Sequence, residues 1–361
     1  MALSAGIVGL PNVGKSTIFN ALTSGKAQSA NYPFCTIEPN TGVVAVPDPR
    51  LERIRTHLET QKVIPTAIEI VDIAGLVKGA SKGEGLGNQF LGNIRQVDAI
   101  LHVVRCFEDE DVTHVDGDVS PLRDVATIET ELLLADMDAL EKRKQRIGKM
   151  SDADSKAEKA AIEHALAIIN EGCWLDRSSL SEADRDHLRH LFLLSMKPVL
   201  FIANVHEDDL AGSHPNVAEL RNHAQETGAG LVIISGKIES ELADLDREDA
   251  LDMLQELGMT EPGLDALARE TYRLLGLRSY FTAGPKEIRA WTIRVGSKAP
   301  EAAGVIHSDF EKGFIRAETF TLSDLEEHKS EAAIRGAGLM RQEGKEYVVA
   351  DGDILHFKFN V

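Results

Sequence analysis

The sequence predicts an α/β protein: a parallel sheet with a helical hairpin inserted into it, followed by a small second α/β module. Three observations carry this. Short apolar runs at 3–8, 67–71, 99–104, 198–203 and 231–234 recur along the first three quarters of the chain, and continuous apolar runs of that length suit strands buried on both faces. Between 121 and 197 the pattern changes to helical spacing in a charged background, with Ile128, Leu132, Ala135 and Leu140 on one stripe. Beyond about 277 short alternating strands and compact helices take over. At 361 residues the chain is long enough for two or three domains. The expected division is 1–120 with 198–277 as one discontinuous domain, 121–197 as the insert, and 278–361 as the last domain.

Composition excludes several classes. A net charge of -19 argues against a general nucleic-acid coat, which needs clustered Lys and Arg, though a local basic face stays open. The three cysteines, Cys35, Cys106 and Cys173, are widely spaced and unpaired in pattern, so neither a disulfide scaffold nor a zinc site is expected. The chain enters a strand almost at once without a basic leader. No apolar window reaches the ~18 residues needed to span a bilayer. The expectation is a cytoplasmic protein with no membrane partner.

The strand at 3–8 runs into Gly-Leu-Pro-Asn-Val-Gly-Lys-Ser-Thr at 9–17, and a helix follows to 23. This is a phosphate loop. Its glycines let main-chain N–H groups turn inward around phosphate oxygens at a helix N-terminus. Asn12, Val13, Gly14, Lys15, Ser16 and Thr17 are the expected phosphate-binding residues. Lys15 would reach the β- and γ-phosphates and act in catalysis, and the Ser16 hydroxyl would join a Mg²⁺ shell. A proline-punctuated segment at 30–39 offers Thr36 as a second Mg²⁺ ligand. An edge strand is expected at 42–46. The strand at 67–71 ends in Asp72-Ile73-Ala74-Gly75: Asp72 would hold Mg²⁺ through water, and the Gly75 N–H would approach the γ-phosphate.

The residue after Gly75 is Leu76, where small GTPases carry a glutamine that orients the attacking water. Leucine cannot do so. Past the glycine-dense stretch at 79–88 and the strand at 99–104, His114 in a polar loop is the candidate for that task, and His102 inside the apolar strand is expected in the core. Helices are expected at 121–149 and 156–170, joined by a soft apex, with Lys142, Arg143, Lys144 and Arg146 forming a basic cluster near it.

The strand at 198–203 leads into Asn204-Val205-His206-Glu207, and that at 231–234 into Ser235-Gly236-Lys237. Asn204, Val205, Ser235 and Gly236 stand where the base would be read. A guanine reader has Asn-Lys-x-Asp, whose aspartate accepts from two guanine donors that adenine lacks. Here Val205 and Glu207 fill the lysine and aspartate positions. Losing such a bidentate contact is worth ~1–3 kcal/mol, which favours ATP. The remaining expectations are a closing helix at 262–275, a boundary at 277–285, a strand at 291–295, a helix at 299–309, a strand at 313–317 and a hairpin over 347–357 turning at Asp351-Gly352.

Together, residues 9–17, 34–40 and 72–88, the Asn204 to Glu207 variant and the tail resemble the Obg-like ATPases of the YchF group. These are translation-factor-class P-loop NTPases with a Ras-like G-domain sheet, an inserted helical hairpin and a C-terminal β-grasp (TGS) domain. The resemblance spans essentially the whole chain. It implies ATP hydrolysis, Mg²⁺ on Ser16 and Thr36, and association with the ribosome or its large subunit, with the hairpin and TGS module as candidate contacts, either to RNA through a local basic cluster or to ribosomal proteins. A conventional GTPase and an ATP-sensing binding protein with incidental hydrolysis are the alternatives.

Overall fold

The computed structural model describes residues 3–24, 40–73, 86–109, 112, 114, 115, 117–150 and 152–360. In chain order the strands are β1 (Ser4–Val8), β2 (Thr41–Val46), β3 (Val63–Ile64), β4 (Thr66–Asp72), β5 (Ala99–Arg105), β6 (Val199–Asn204), β7 (Gly230–Ile234), β8 (Leu277–Ala283), β9 (Ile288–Arg294), β10 (Phe314–Phe320), β11 (Arg341–Glu343) and β12 (Ile354–Phe359). The helices are α1 (Lys15–Thr23), α2 (Pro49–Arg55), α3 (Leu86–Gln96), α4 (Pro121–Ile147), α5 (Ala153–Asn170), α6 (Glu182–Leu188), α7 (Pro215–Thr227), α8 (Gly236–Asp244), α9 (Arg247–Glu256), α10 (Gly263–Leu274), α11 (Ala299–Ile306), α12 (Ser308–Lys312), α13 (Leu322–His328) and α14 (Glu331–Gly336). Contacts divide the described residues into two compact units, one of 3–24, 40–43 and 69–274, the other of 44–68 and 275–360.

The first unit is organised on a sheet in the order β2-β4-β1-β5-β6-β7. Strand β1 pairs in parallel with both β4 and β5, and β5, β6 and β7 continue in parallel. Every residue of β5 and β6 is buried, which is why these strands read as unbroken apolar runs. His102 is in this core as expected. It packs against Phe201 with ring centroids 5.6 Å apart, and burial pulls its imidazole down to about 3.

The hairpin forms as its spacing predicts. Pro121 opens α4 at a position where a missing N–H costs nothing. The Asp152 carboxylate accepts from the Ser155 N–H to start α5, and Gly172, at φ 76°, follows its end. The basic cluster is largely spent within the hairpin. Arg143 clamps Glu158 through two bonds of 2.7 and 2.8 Å, Lys144 meets Glu163 at 2.9 Å, and Lys142 meets Asp138 at 2.6 Å.

The second unit holds a mixed sheet in the order β11-β10-β12-β8-β9-β3. Side chains alternate across it. Tyr280, Ala317 and Leu355 pack with Ala299, Ala302 and Ala303 of α11 on one face. Phe281, Phe320 and Ile354 pack with Leu51 and Ile54 of α2 and with Leu325 and Ile334 on the other. This explains a departure from the expected division: residues 44–68 group with the second unit because α2 supplies part of its core. Other expectations need correction. The stretch 277–285 is mostly strand β8, and the helix expected at 299–309 is two, α11 and α12. No hairpin forms over 347–357. Strand β12 pairs antiparallel with β10 and parallel with β8 instead, because its alternating face completes two cores at once. The Asp351-Gly352 turn is present, with Gly352 at φ 90°.

Candidate functional site

The site begins where β1 ends. Gly9 lies so close to the Val103 carbonyl that a Cβ there would approach it to 2.6 Å, so only glycine lets the chain turn off the sheet here. Asn12 and Gly14 both take positive φ, 62° and 92°. A Cβ on Gly14 would fall 2.1 Å from Asn204 Nδ2, which makes this glycine doubly necessary. Gly14 caps α1 without any side-chain cap, leaving the first amides of the helix for an anion. Val13 is buried beneath the loop, Lys15 is half-buried, and Ser16 and Thr17 are exposed.

Asn204 ties the two ends of the site together. Its Nδ2 donates to Val13 O at 2.9 Å, and its Oδ1 accepts from Gly236 N at 2.9 Å. One buried amide thus fixes the phosphate loop to the turn that opens α8. Around it lies a cavity of about 560 Å³, within the range of small-molecule sites. Asn12, Gly14 and Thr17 line one side. Val205, His206, Glu207, Ser235, Gly236 and Lys237 line another, and Phe107, Asp109 and Val112 a third. Glu207 and Lys237 form an ion pair, and the bond to Glu207 raises the Lys237 ammonium above the usual lysine range. The Ser235 hydroxyl is buried, with no hydrogen-bond partner among the described residues.

Asp72 stands at the tip of β4, paired in register with Ile7 of β1. Its Oδ1 is buried and has no hydrogen-bond partner among the described residues. An orphaned carboxylate oxygen beside a phosphate loop fits a place in a Mg²⁺ shell. The expected partners Thr36 and Gly75, with Leu76, lie outside the described residues.

His114 is placed apart from these groups. Its Nε2 is 2.8 Å from Asp124 Oδ2, with both side chains 2% exposed, and it does not line the cavity. In this conformation the histidine is held at the first turn of α4 rather than over the phosphate loop. The structure therefore brings together Asn12, Gly14, Thr17, Asn204, Val205, Ser235 and Gly236 around one cavity, with Val13, Lys15 and Ser16 in the same loop. Sequence reasoning missed Phe107, Asp109 and Val112. They follow the C-terminal end of β5, and that position was the available signal, since open α/β sheets bind ligands there.

Comparison with known proteins places the chain in one family. Residues 4–135 match the family model described as 50S ribosome-binding GTPase. Residues 277–360 match the YchF GTPase C-terminal model, described as a protein of unknown function, DUF933. The chain is 53% identical to the ribosome-binding ATPase YchF of Bacillus subtilis (strain 168) and 51% identical to that of Escherichia coli O157:H7, each over the full length of both proteins. The solved structure of the Schizosaccharomyces pombe YchF GTPase matches with a TM-score of 0.89 at 39% identity, over 99% of this chain and 98% of that one. Among the described residues no helix is long and apolar enough to cross a membrane. Similarity this high across both domains leaves one assignment: the chain belongs to the YchF family.

Proposed function

We propose that this protein is a ribosome-associated, Mg²⁺-dependent ATPase of the cytoplasm. It hydrolyses ATP to ADP and phosphate and uses its nucleotide state as a switch. The observation that carries the reading is Asn204, whose single side chain sets the phosphate loop and the base-side turn in fixed register. A ligand with a phosphate chain at one end and a base at the other matches that spacing.

Base choice follows from position 207. A guanine reader needs a carboxylate presented to the ring, but Glu207 is engaged by Lys237, and the neighbouring Val205 is buried and cannot act as the usual lysine. The unpartnered Ser235 hydroxyl is the polar group offered to the base. At the other end, Lys15 and the first amides of α1 would take the β- and γ-phosphates, and Ser16, Thr36 and Asp72 would hold Mg²⁺. When bound, Mg²⁺ neutralises charge developing on the phosphate oxygens. His114 is our candidate for orienting the attacking water, and it must leave Asp124 to do so. Without a resident glutamine, intrinsic hydrolysis should be slow, at roughly 10⁻⁴–10⁻³ s⁻¹, as in small GTPases alone. A His114→Ala variant should bind ATP normally and hydrolyse it more slowly; an unchanged rate would remove His114 from the mechanism.

The relatives named ribosome-binding ATPases support the partner assignment. We take the second unit as a β-grasp (TGS) module and as the ribosomal contact, in preference to a hairpin in which Lys142, Arg143 and Lys144 are already paired and Arg146 alone of the cluster has no ion pair among the described residues. The second reading is a conventional GTPase, favoured by the description of the N-terminal family model. The deciding experiment is equilibrium binding of non-hydrolysable ATP and GTP analogues with Mg²⁺ to the native protein and to a Val205→Lys, Glu207→Asp variant. Tighter ATP binding that reverses in the variant is expected. A native preference for GTP would overturn the ATPase reading and leave the switch. Lys15→Ala that bound ribosomes without regard to nucleotide would remove the switch from the ATPase and from the ATP-sensing alternative alike.

A further inference from the structure

We propose that Arg105 is a positioning residue for base recognition: its buried guanidinium holds Phe107, Asp109 and Val112 so that Phe107 forms one wall of the cavity. The proposal rests on the reading that the base of the nucleotide occupies this cavity. Arg105 is the last residue of β5, opposite Asn204 in the β5–β6 register, and only 1% exposed. Its Nε donates to Phe107 O at 3.0 Å, Nη1 to Val112 O at 2.8 Å and Nη2 to Asp109 O at 3.2 Å. These are the three residues on that side of the cavity. The guanidinium carbon also lies 4.6 Å from the centroid of the Phe107 ring, within reach of a cation–π contact.

A buried cation is costly unless its donors are engaged, so this arrangement calls for a reason. Only the planar fork of arginine can serve three carbonyls that diverge around it; a lysine ammonium is a single point on a flexible stem. The bracket fixes Phe107, Asp109 and Val112 to the same strand end that positions Asn204. The flat ring of Phe107 is thereby set before ligand arrives. A preformed stacking surface spares the ligand the cost of ordering it.

The test uses the full-length protein and two probes, ADP and inorganic pyrophosphate, the second of which has no base. Arg105→Lys should weaken ADP binding about tenfold and leave pyrophosphate binding within about twofold. Equal weakening of both would make Arg105 merely structural and overturn the proposal, as would no change in either. Phe107→Ala should also weaken ADP, and the double variant should be no weaker than Phe107→Ala alone, because both changes remove one contact. Additive losses would overturn the coupling. If Phe107→Ala binds ADP normally, the base lies elsewhere and the site reading itself fails. If Phe107→Ala weakens ADP and Arg105→Lys does not, only the role of Arg105 falls. Should Arg105→Lys not fold, the unmodified protein decides: solvent exchange of the Arg105 Nε–H should slow on adding ADP and not on adding pyrophosphate, and the same response to both would overturn the proposal.

Discussion

A buried carboxyl with one oxygen unpartnered is costly to keep charged, and Glu239 is in that position. It is 2% exposed; its Oε1 accepts from Gly263 N at 2.6 Å, and its Oε2 has no partner among the described residues. Burial pushes it up to about 7, against the opposing effect of the Gly263 and Leu264 amides. The folded value exceeds the ordinary 4.5, so the contribution to stability is fully present below about 4.5 and is lost as pH rises through 7. Denaturation of the native protein and of Glu239→Gln should therefore diverge across that window, by a total of roughly 3 kcal/mol, with the variant gaining as pH rises. Parallel curves would show that Glu239 is already ionised in the fold. Asn204 makes a different prediction. Asn204→Ala strands the Val13 carbonyl and the Gly236 amide, at ~1–3 kcal/mol for each buried group left unpaired. Thermal unfolding should shift down while ADP affinity falls at least about tenfold, and loss of stability with unchanged affinity would deny the bridge its role in binding. Asn204 was legible from the sequence because it stands in a spaced motif. Phe107 could be reached only through its place after the C-terminal end of β5, and Arg105 was not legible, because its meaning comes from the β5–β6 register and no local pattern encodes which strand end faces which.

At the scale of elements, what could be read was what is local. The first sheet declared itself through strands buried on both faces, and α4 and α5 through their stripe, caps and terminal glycine. The second sheet was harder. Its β12 finds partners in β10 and β8 rather than in the adjacent residues 347–350, and α2 covers a core formed more than 200 residues later in the chain. A non-local anchor also governs the hairpin. Asp136 of α4 is fully buried, accepting from Leu194 N at 2.8 Å, Ser195 N at 2.7 Å and Ser195 Oγ at 2.6 Å. Burial raises this carboxyl above the usual range while those three donors oppose the rise. Asp136→Ala leaves two amides and a hydroxyl without their acceptor, and should cost about 3 kcal/mol or more. The freed segment around 189–197 should become the first site of limited proteolysis. If cleavage there is no faster than in the native protein, the carboxylate is not what fastens that segment to α4.

Across the whole molecule the charge is unevenly shared. Residues 44–68 and 275–361 contain 16 Lys and Arg against 16 Asp and Glu, so the net charge of -19 lies entirely on the rest of the chain. A polyanion such as ribosomal RNA is repelled by the first unit at long range and not by the second. Within the second unit, Arg289 stacks over Trp291 with its guanidinium carbon 4.2 Å from the ring centroid, the Trp291 Nε1 donates to Thr282 Oγ1 at 2.9 Å, and Arg294 is exposed at the end of the same strand. A rigid aromatic with Arg289 stacked on it suits a nucleic-acid backbone and an unstacked base, whereas Arg294, an odd number of residues along the strand from Trp291, faces the other side of the sheet. In the hairpin, by contrast, Lys142, Arg143 and Lys144 are neutralised by Asp138, Glu158 and Glu163. Reversing Arg289 to Glu should therefore weaken co-sedimentation with ribosomes at physiological salt and reduce the dependence of the logarithm of affinity on the logarithm of salt by about 1, and the same change at Arg294, on the opposite face, should have the smaller effect. Replacing Lys142, Arg143 and Lys144 together by Ala should leave both quantities near their native values. The opposite pattern, loss in the hairpin variant alone, would mean that binding energy breaks those ion pairs and that the hairpin is the element presented to the ribosome.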